Sequence, residues 1–300
     1  VAKKKSEQDT SNWPLSDLLY DGYREFSIKD VPTQIEPLYD SKKDYKQKLR
    51  SLVKRIDELL EIMTAQNRYG LLTVFQAMDA AGKDGTIKRL LTGVNPASVQ
   101  VYAFKKPSDE ELDHGYLWRI IQRMPERGRL GVFNRSYYEE VLVVRVHPEI
   151  LTDYQRLPAE LTEDVDAVFE SRFRDLRNFE KYATSNGIRV LKFFLNVSEE
   201  EQRQRLRSRL NDPNKHWKFT SADVEEREFW PDYMKAFEEC ISVTACSHAP
   251  WIVVPADDKL NMRLLVAAST LAELESMDIQ WPKADKKLLA NIEAMCNRLS

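Results

Sequence analysis

The chain lacks much of what would assign it quickly. Its 300 residues hold three cysteines, Cys240, Cys246 and Cys296, without CxxC spacing, and the four histidines do not fall near them in a ligand pattern. A disulfide framework and a zinc site are therefore excluded as organising features. No stretch approaches the ~18 consecutive apolar residues of a membrane span. The basic start Val1-Ala2-Lys3-Lys4-Lys5 is followed by no apolar signal region. These features read as a soluble, cytoplasmic chain. The net charge of −3 excludes a polycation, so local clusters of basic residues matter more than the overall balance. Internal repeats and low-complexity tracts are absent as well.

What is present is an alternation of short apolar strands and helical stretches. Strands are predicted at 70–75, 99–104, 130–133, 190–195 and 251–254, with helical spacing between them. That order predicts an α/β fold with a five-stranded parallel sheet and helices on both faces, a three-layer α/β/α sandwich. Helical periodicity is clear from Tyr45 to Met63, where Leu49, Leu52, Val53, Ile56, Leu59 and Leu60 recur on one face. Residues 1–44, punctuated by Pro14, Pro32 and Pro37, read as an arm over a domain spanning 45–278, with 279–300 a tail.

The segment Val74 to Arg89, VFQAMDAAGKDGTIKR, carries the chemistry. A strand, a turn ending Gly82-Lys83 and a helix start form a phosphate cradle, because backbone N–H groups and a helix N-terminus converge on anionic oxygens. Ala77 stands where a P-loop usually has its first glycine, and Asp84 where a hydroxyl usually follows the lysine. Asp79 and Asp84 would repel phosphate unless a cation lay between them, which implies a metal ion, with Asp79 the better ligand. Ala80, Ala81, Gly85 and Thr86 complete the candidate loop. The bland alternative is an ordinary strand-to-helix turn with Lys83 a solvated helix residue.

Ligands in such sheets bind at the carboxyl ends of strands, so the loops after Phe75, Phe104, Phe133 and Leu195 share one rim. Lys105 and Lys106 follow one strand there, and Ser108 with Glu111 form a capping-box pattern for a helix reaching Met124. On it Arg119 and Arg123 either line a groove or are solvated beside a core face. Asn134 occupies the place of a Walker B aspartate. Arg135 is placed to clamp phosphate bidentately. Glu139 fits either the nucleotide site or a plain capping box with Ser136. Residues 207–240, with Arg209, Lys215, Trp217 and Lys218 around Pro213, read as a lid, or else as a solvated helix pair or a nucleic-acid-binding stretch.

Together, AMDAAGKDGTIKR, FKKPSDEELDHGYLWR, GVFNRSYYEEVLVVRVHPE, NDPNKHWKF and APWIVVPADDK resemble the polyphosphate kinase 2 family, in order, from about Tyr45 to Met277. The resemblance implies a P-loop kinase-like fold with a helical lid. It also implies transfer of phosphate between inorganic polyphosphate and nucleotides with Mg2+, and assembly as a homodimer or homotetramer. The form Asn134-Arg135-Ser136-x-Tyr138-Glu139 is similar to the classes accepting AMP, including those carrying AMP through ADP to ATP. By the same resemblance Asp79, Gly82, Lys83 and Asp84 bind nucleotide phosphates and metal, and Arg135 and Glu139 complete the nucleotide site. Lys105, Arg119, Arg123, Arg209, Lys215 and Lys218 hold polyphosphate or the transferring group. The rivals are an ATP-dependent nucleoside monophosphate or thymidylate-like kinase on the same fold, and a nucleic-acid-binding P-loop protein, against which the near-neutral charge argues.

Overall fold

A computed structural model describes residues 10–299, and of Lys218 only the backbone. The sheet order is β1-β6-β5-β2-β4-β3. β2 (Gly70–Gln76), β3 (Val99–Ala103), β4 (Leu130–Asn134), β5 (Ile188–Asn196) and β6 (Trp251–Pro255) run parallel, as the sequence pattern predicts. The sixth strand is a correction. β1 (Leu19–Tyr20) comes from the expected arm and pairs antiparallel with β6, and Leu18, Tyr20, Phe26 and Val31 are buried in the common core. The arm is thus a structural edge of the sheet. Two residues carry no periodicity of their own, so only tertiary pairing reveals such a strand.

β2 is buried along its whole length because both its edges are paired and both its faces are covered. On one side α1 (Lys42–Gln66), α2 (Lys83–Leu90) and α6 (Lys259–Ser276) pack together, and on the other α3 (Val165–Ser185) packs on β5 and on α5 (Trp230–Thr244). The predicted periodicity of α1 is realised in the burial of Leu49, Leu52, Val53, Ile56, Leu59, Leu60 and Met63. Ser41 caps it by accepting from the Asp44 N–H, and Asn67 ends it in the left-handed conformation. α4 (Glu199–Leu210) leads into the lid, and α7 (Lys286–Leu299) closes the chain. No helix of the described residues is long and apolar enough to cross a membrane.

The predicted helix from Ser108 to Met124 is broken. Its capping box forms, but the first turn ends at Leu112 and a separate turn covers Trp118–Ile121, with Gly115 between them. The lid is also less regular than its sequence suggests. A 3-10 turn spans Pro213–Lys218 and short turns cover Ala222–Phe229, after which α5 buries Phe237, Cys240 and Ile241 in the core. Residues 207–240 therefore combine an irregular cover with a core helix that anchors it.

Beneath the rim lies an ion pair at zero exposure. The Lys192 ammonium on β5 donates to Glu180 Oε2 (2.8 Å), the Tyr138 hydroxyl (2.9 Å) and the Thr244 carbonyl (2.9 Å). Glu180 Oε1 accepts from both the Tyr137 and Tyr138 hydroxyls, at 2.8 and 2.7 Å. Burial is the largest cause raising the pKa of both phenols, with the Glu180 carboxylate adding to it. The network fixes the segment that follows β4. Glu180→Leu removes the acceptor of both phenolic hydroxyls and leaves the buried ammonium with only neutral partners, the Tyr138 hydroxyl and the Thr244 carbonyl, and is expected to cost about 3–5 kcal/mol. Lys192→Met should cost distinctly less, because Glu180 keeps two phenolic donors. Urea denaturation of both variants checks the ranking, and the reverse order would refute it.

Candidate active site

The loop from Ala77 to Gly82 joins β2 to α2 at the sheet rim. Gly82 takes φ +109°, the left-handed region open to glycine at no steric cost, and no side chain caps the helix that starts at Lys83. The first N–H groups of α2 are therefore available to an anion. Ala80 also sits at φ +60°, a strained position held by outside contacts. Those contacts come from α4. Gln202 donates to the Asp79 carbonyl (3.0 Å), and Arg205 donates to the carbonyls of Ala81 (2.6 Å), Ala256 (2.7 Å) and Asp257 (2.9 Å).

Lys83 is buried and its ammonium donates to the Ala77 carbonyl at 2.7 Å. Burial lowers its pKa, and the nearby Asp79 carboxylate works the other way. Because its hydrogen-bond partners are neutral carbonyls, its charge is not consumed by a contact ion pair. Thr86 lies buried beneath the loop, away from the cavity described below.

β4 delivers the opposite wall. Asn134 donates its amide to Asp84 Oδ1 (2.8 Å), tying the strand end to the first turn of α2. Arg135, at φ +62°, turns back and donates to Asp79 Oδ1 (2.8 Å). Burial disfavours the Asp79 carboxylate, but the fields of Lys83 and Arg135 outweigh it and hold its pKa below the ordinary carboxylate value. Glu139 does not act as a helix cap. Ser136 Oγ accepts from the Tyr138 N–H, whereas Glu139 accepts from the Gln76 amide (2.8 Å) and stands 3.9 Å from Arg135. No reciprocal capping box forms there.

A cavity of about 880 Å3 opens over the loop. Asp79, Ala80, Ala81, Gly82, Lys83, Asp84, Gly85, Asn134 and Arg135 form its floor, and Lys105 reaches it from the end of β3. The lid contributes Arg209 and Lys215, paired with Asp223 and Asp212 at 2.8 Å each, together with Trp217. The side chain of Lys218 lies outside the described residues. Lys259 and Arg263 complete the wall from α6. Burial first, then the neighbouring Arg205, depresses the Lys259 pKa, a sign of crowded positive charge. A second cavity, about 300 Å3, shares Asp79 and Arg135 with the first but is lined by Leu142, Val143, Tyr233, Phe237, Glu139 and Glu226. One compartment is cationic; the other is apolar and acidic.

Two predicted residues are elsewhere. Arg119 is buried, donates to the Lys105 carbonyl (2.8 Å) and lies 3.6 Å from Glu111, so it props the Lys105 loop from behind. Arg123 lies over the Tyr102 ring, outside the cavity. The expected groove depended on one continuous helix, and the break at Gly115 removes it. Conversely, Gln202, Arg205, Lys259 and Arg263 were not anticipated. Extending the rim rule to the loop after β6 would have found Lys259.

With this geometry in place, residues 39–282 match the family described as Polyphosphate kinase 2 (PPK2). The chain belongs to that family. It is 49% identical over 253 residues to the ADP-polyphosphate phosphotransferase of Rhodopseudomonas palustris, covering 84% of this chain and 86% of that one. To the AMP/ADP-polyphosphate phosphotransferase of Meiothermus ruber it is 41% identical over 237 residues, covering 79% and 84%. The crystal structure of Polyphosphate Kinase 2 from Arthrobacter aurescens TC1 superposes with a TM-score of 0.81 at 36% identity, covering 94% of this chain and 97% of that one.

In this chain, Lys83→Ala is expected to lower turnover by more than about a hundredfold, about 3 kcal/mol, as loss of one preorganised electrostatic donor does. Circular dichroism should show the fold retained. A folded variant with near-parental turnover would remove the lysine from the chemistry.

Proposed function

We propose that this enzyme transfers the terminal phosphoryl group of inorganic polyphosphate to AMP or ADP, reversibly. A phosphate oxygen of the nucleotide forms the new P–O bond as the bond to the shortened polyphosphate breaks. One observation carries the reading: a cationic cavity over the P-loop meets an apolar, acidic cavity across the Asp79–Arg135 pair. A polyanion without a base to recognise suits the first, where Lys and Arg track its charge as they do in backbone-only nucleic-acid binding. The second repels a bare polyanion through Glu139 and Glu226, and its apolar walls suit a nucleoside. The moving phosphoryl group then lies where the two meet.

Phosphoryl transfer through a loose transition state needs positioning and charge neutralisation more than covalent help from the protein. Lys83 and the open N–H groups of α2 are placed to meet the developing charge. Arg135, held by Asp79, supplies a planar guanidinium at the junction. The polar wall of the donor cavity, formed by Lys105, Arg205, Lys259 and Arg263, supports polyphosphate over the rival ATP donor. The names of both relatives, which specify polyphosphate with ADP or with AMP and ADP, support the same choice of donor and acceptors.

Mg2+ belongs to this reading. Four carboxylates line the donor cavity, Asp79 and Asp84 at the loop and Glu201 and Asp223 on the lid side, and among the described residues Arg135 engages Asp79 through Oδ1 alone. No cluster of three or more His, Cys, Asp or Glu side chains suited to a metal occurs among the described residues. That fits an ion held through one or two carboxylates, water and substrate phosphates. When bound, Mg2+ neutralises phosphate charge.

Incubating the protein with AMP, Mg2+ and either polyphosphate or ATP, while resolving AMP, ADP and ATP over time, tests the donor. Product formation from polyphosphate is expected, and turnover with ATP alone would select the nucleoside monophosphate kinase reading instead. Asp79→Asn should shift the Mg2+ activation curve to higher concentration more than it alters the KM for AMP. An overlaid activation curve would assign the ion to another carboxylate.

A further inference from the structure

On the outer side of the P-loop helix, α1, α2 and α6 enclose a further cleft of about 440 Å3. Lys42, Lys46 and Arg50 of α1 recur every four residues and so stack along one helix face, opposite Arg89 of α2 and Arg263 of α6. No Asp or Glu lines the cleft, and none of these cations makes an ion pair among the described residues. Elsewhere the same helix pairs its cations. Lys48 has Asp44, Lys54 has Glu58, and Arg55 has Glu58 and Glu275. Uncompensated like charges gathered on one face repel each other weakly across solvent and attract an anion.

Two buried donors point the same way. Tyr45, 6% exposed, lines the cleft, and its hydroxyl has no hydrogen-bond partner. The Nε of Arg263 is likewise buried and unpartnered. An unmet buried donor is unfavourable, and an acceptor-rich ligand would satisfy it. Leu49, Val53 and Leu260 form the apolar part of the lining, and its polar groups are cations and hydroxyls, with no carboxylate or amide to read a nucleobase.

Arg263 lines both this cleft and the donor cavity, and its Nη2 lies 3.3 Å from where a Cβ on Gly85 would stand. Its guanidinium therefore crosses the first turn of the P-loop helix, at the boundary between the two spaces. We propose that the cleft binds the trailing segment of a long polyphosphate donor, whose reacting end occupies the P-loop cavity and whose chain passes Arg263. The proposal rests on the polyphosphate reading above and adds a selection for chain length. Donors long enough to pass Arg263 gain contacts that short ones cannot reach.

The test is the double variant Lys46→Ala/Arg50→Ala, since both side chains are exposed on α1 and lie outside the donor cavity. The KM for long-chain polyphosphate should rise by about tenfold, and its salt dependence should lose about two released counterions. The KM for AMP, and that for tripolyphosphate, should stay at the parental value. An unchanged KM for the long chain, or an equal rise for tripolyphosphate, overturns the cleft. Failure of the parent to use polyphosphate at all would instead overturn the donor reading, and is seen before any variant is made.

Discussion

The contact between Asp79 and Arg135 joins the two halves of the rim. Asp79 belongs to the loop after β2 and Arg135 to the turn after β4, strands that are neighbours in the sheet, and the 2.8 Å bond closes the gap between their exits. Each partner is held from elsewhere. Gln202 and Arg205 pin the P-loop from α4, and the buried Lys192 and Glu180 network fixes Tyr137 and Tyr138, two and three residues after Arg135. Both residues line both cavities. The pair is half exposed, so its worth lies in placing a guanidinium and a carboxylate and not in stabilising the fold.

Around that junction, charge is segregated. The loop and lid surround the P-loop with Lys and Arg, some neutralised by local acids such as Asp212 and Asp223 and others, such as Lys259, crowded among cations. On the far side of Arg135, Glu139 and Glu226 stand among apolar walls, and the Tyr233 hydroxyl donates to Glu226 at 2.7 Å. A near-neutral chain thus presents two compartments of opposite character. This is what a reaction between a polyanion and a nucleotide demands, since one surface must attract bare phosphate and the other must prefer a nucleoside.

Much of this was legible without coordinates. The strand, loop and helix around Lys83 follow from local pattern, as do the helix buried through Leu52, Ile56 and Leu60 and the five parallel strands. What failed depended on distant partners. β1 is too short to have a period, and the capping box at Ser108 correctly starts a helix but says nothing of its end near Gly115. Glu139 satisfies a capping pattern that the fold does not use, because Gln76 and Arg135 compete for its carboxylate. Arg119 looks like a groove residue in sequence, yet packing buries it against the Lys105 carbonyl. Arg205 carries no distinguishing local signal among the arginines of α4, although it clamps the loop.

The central claim is that donor and acceptor occupy separate compartments meeting at Asp79 and Arg135. It is tested most directly by measuring AMP binding calorimetrically in EDTA, with and without saturating polyphosphate. Separate compartments predict that AMP still binds, with an affinity little changed or improved, forming a ternary complex. Mutual exclusion, seen as an apparent Kd for AMP that climbs in proportion to polyphosphate concentration, would place both ligands in one cavity and contradict the account.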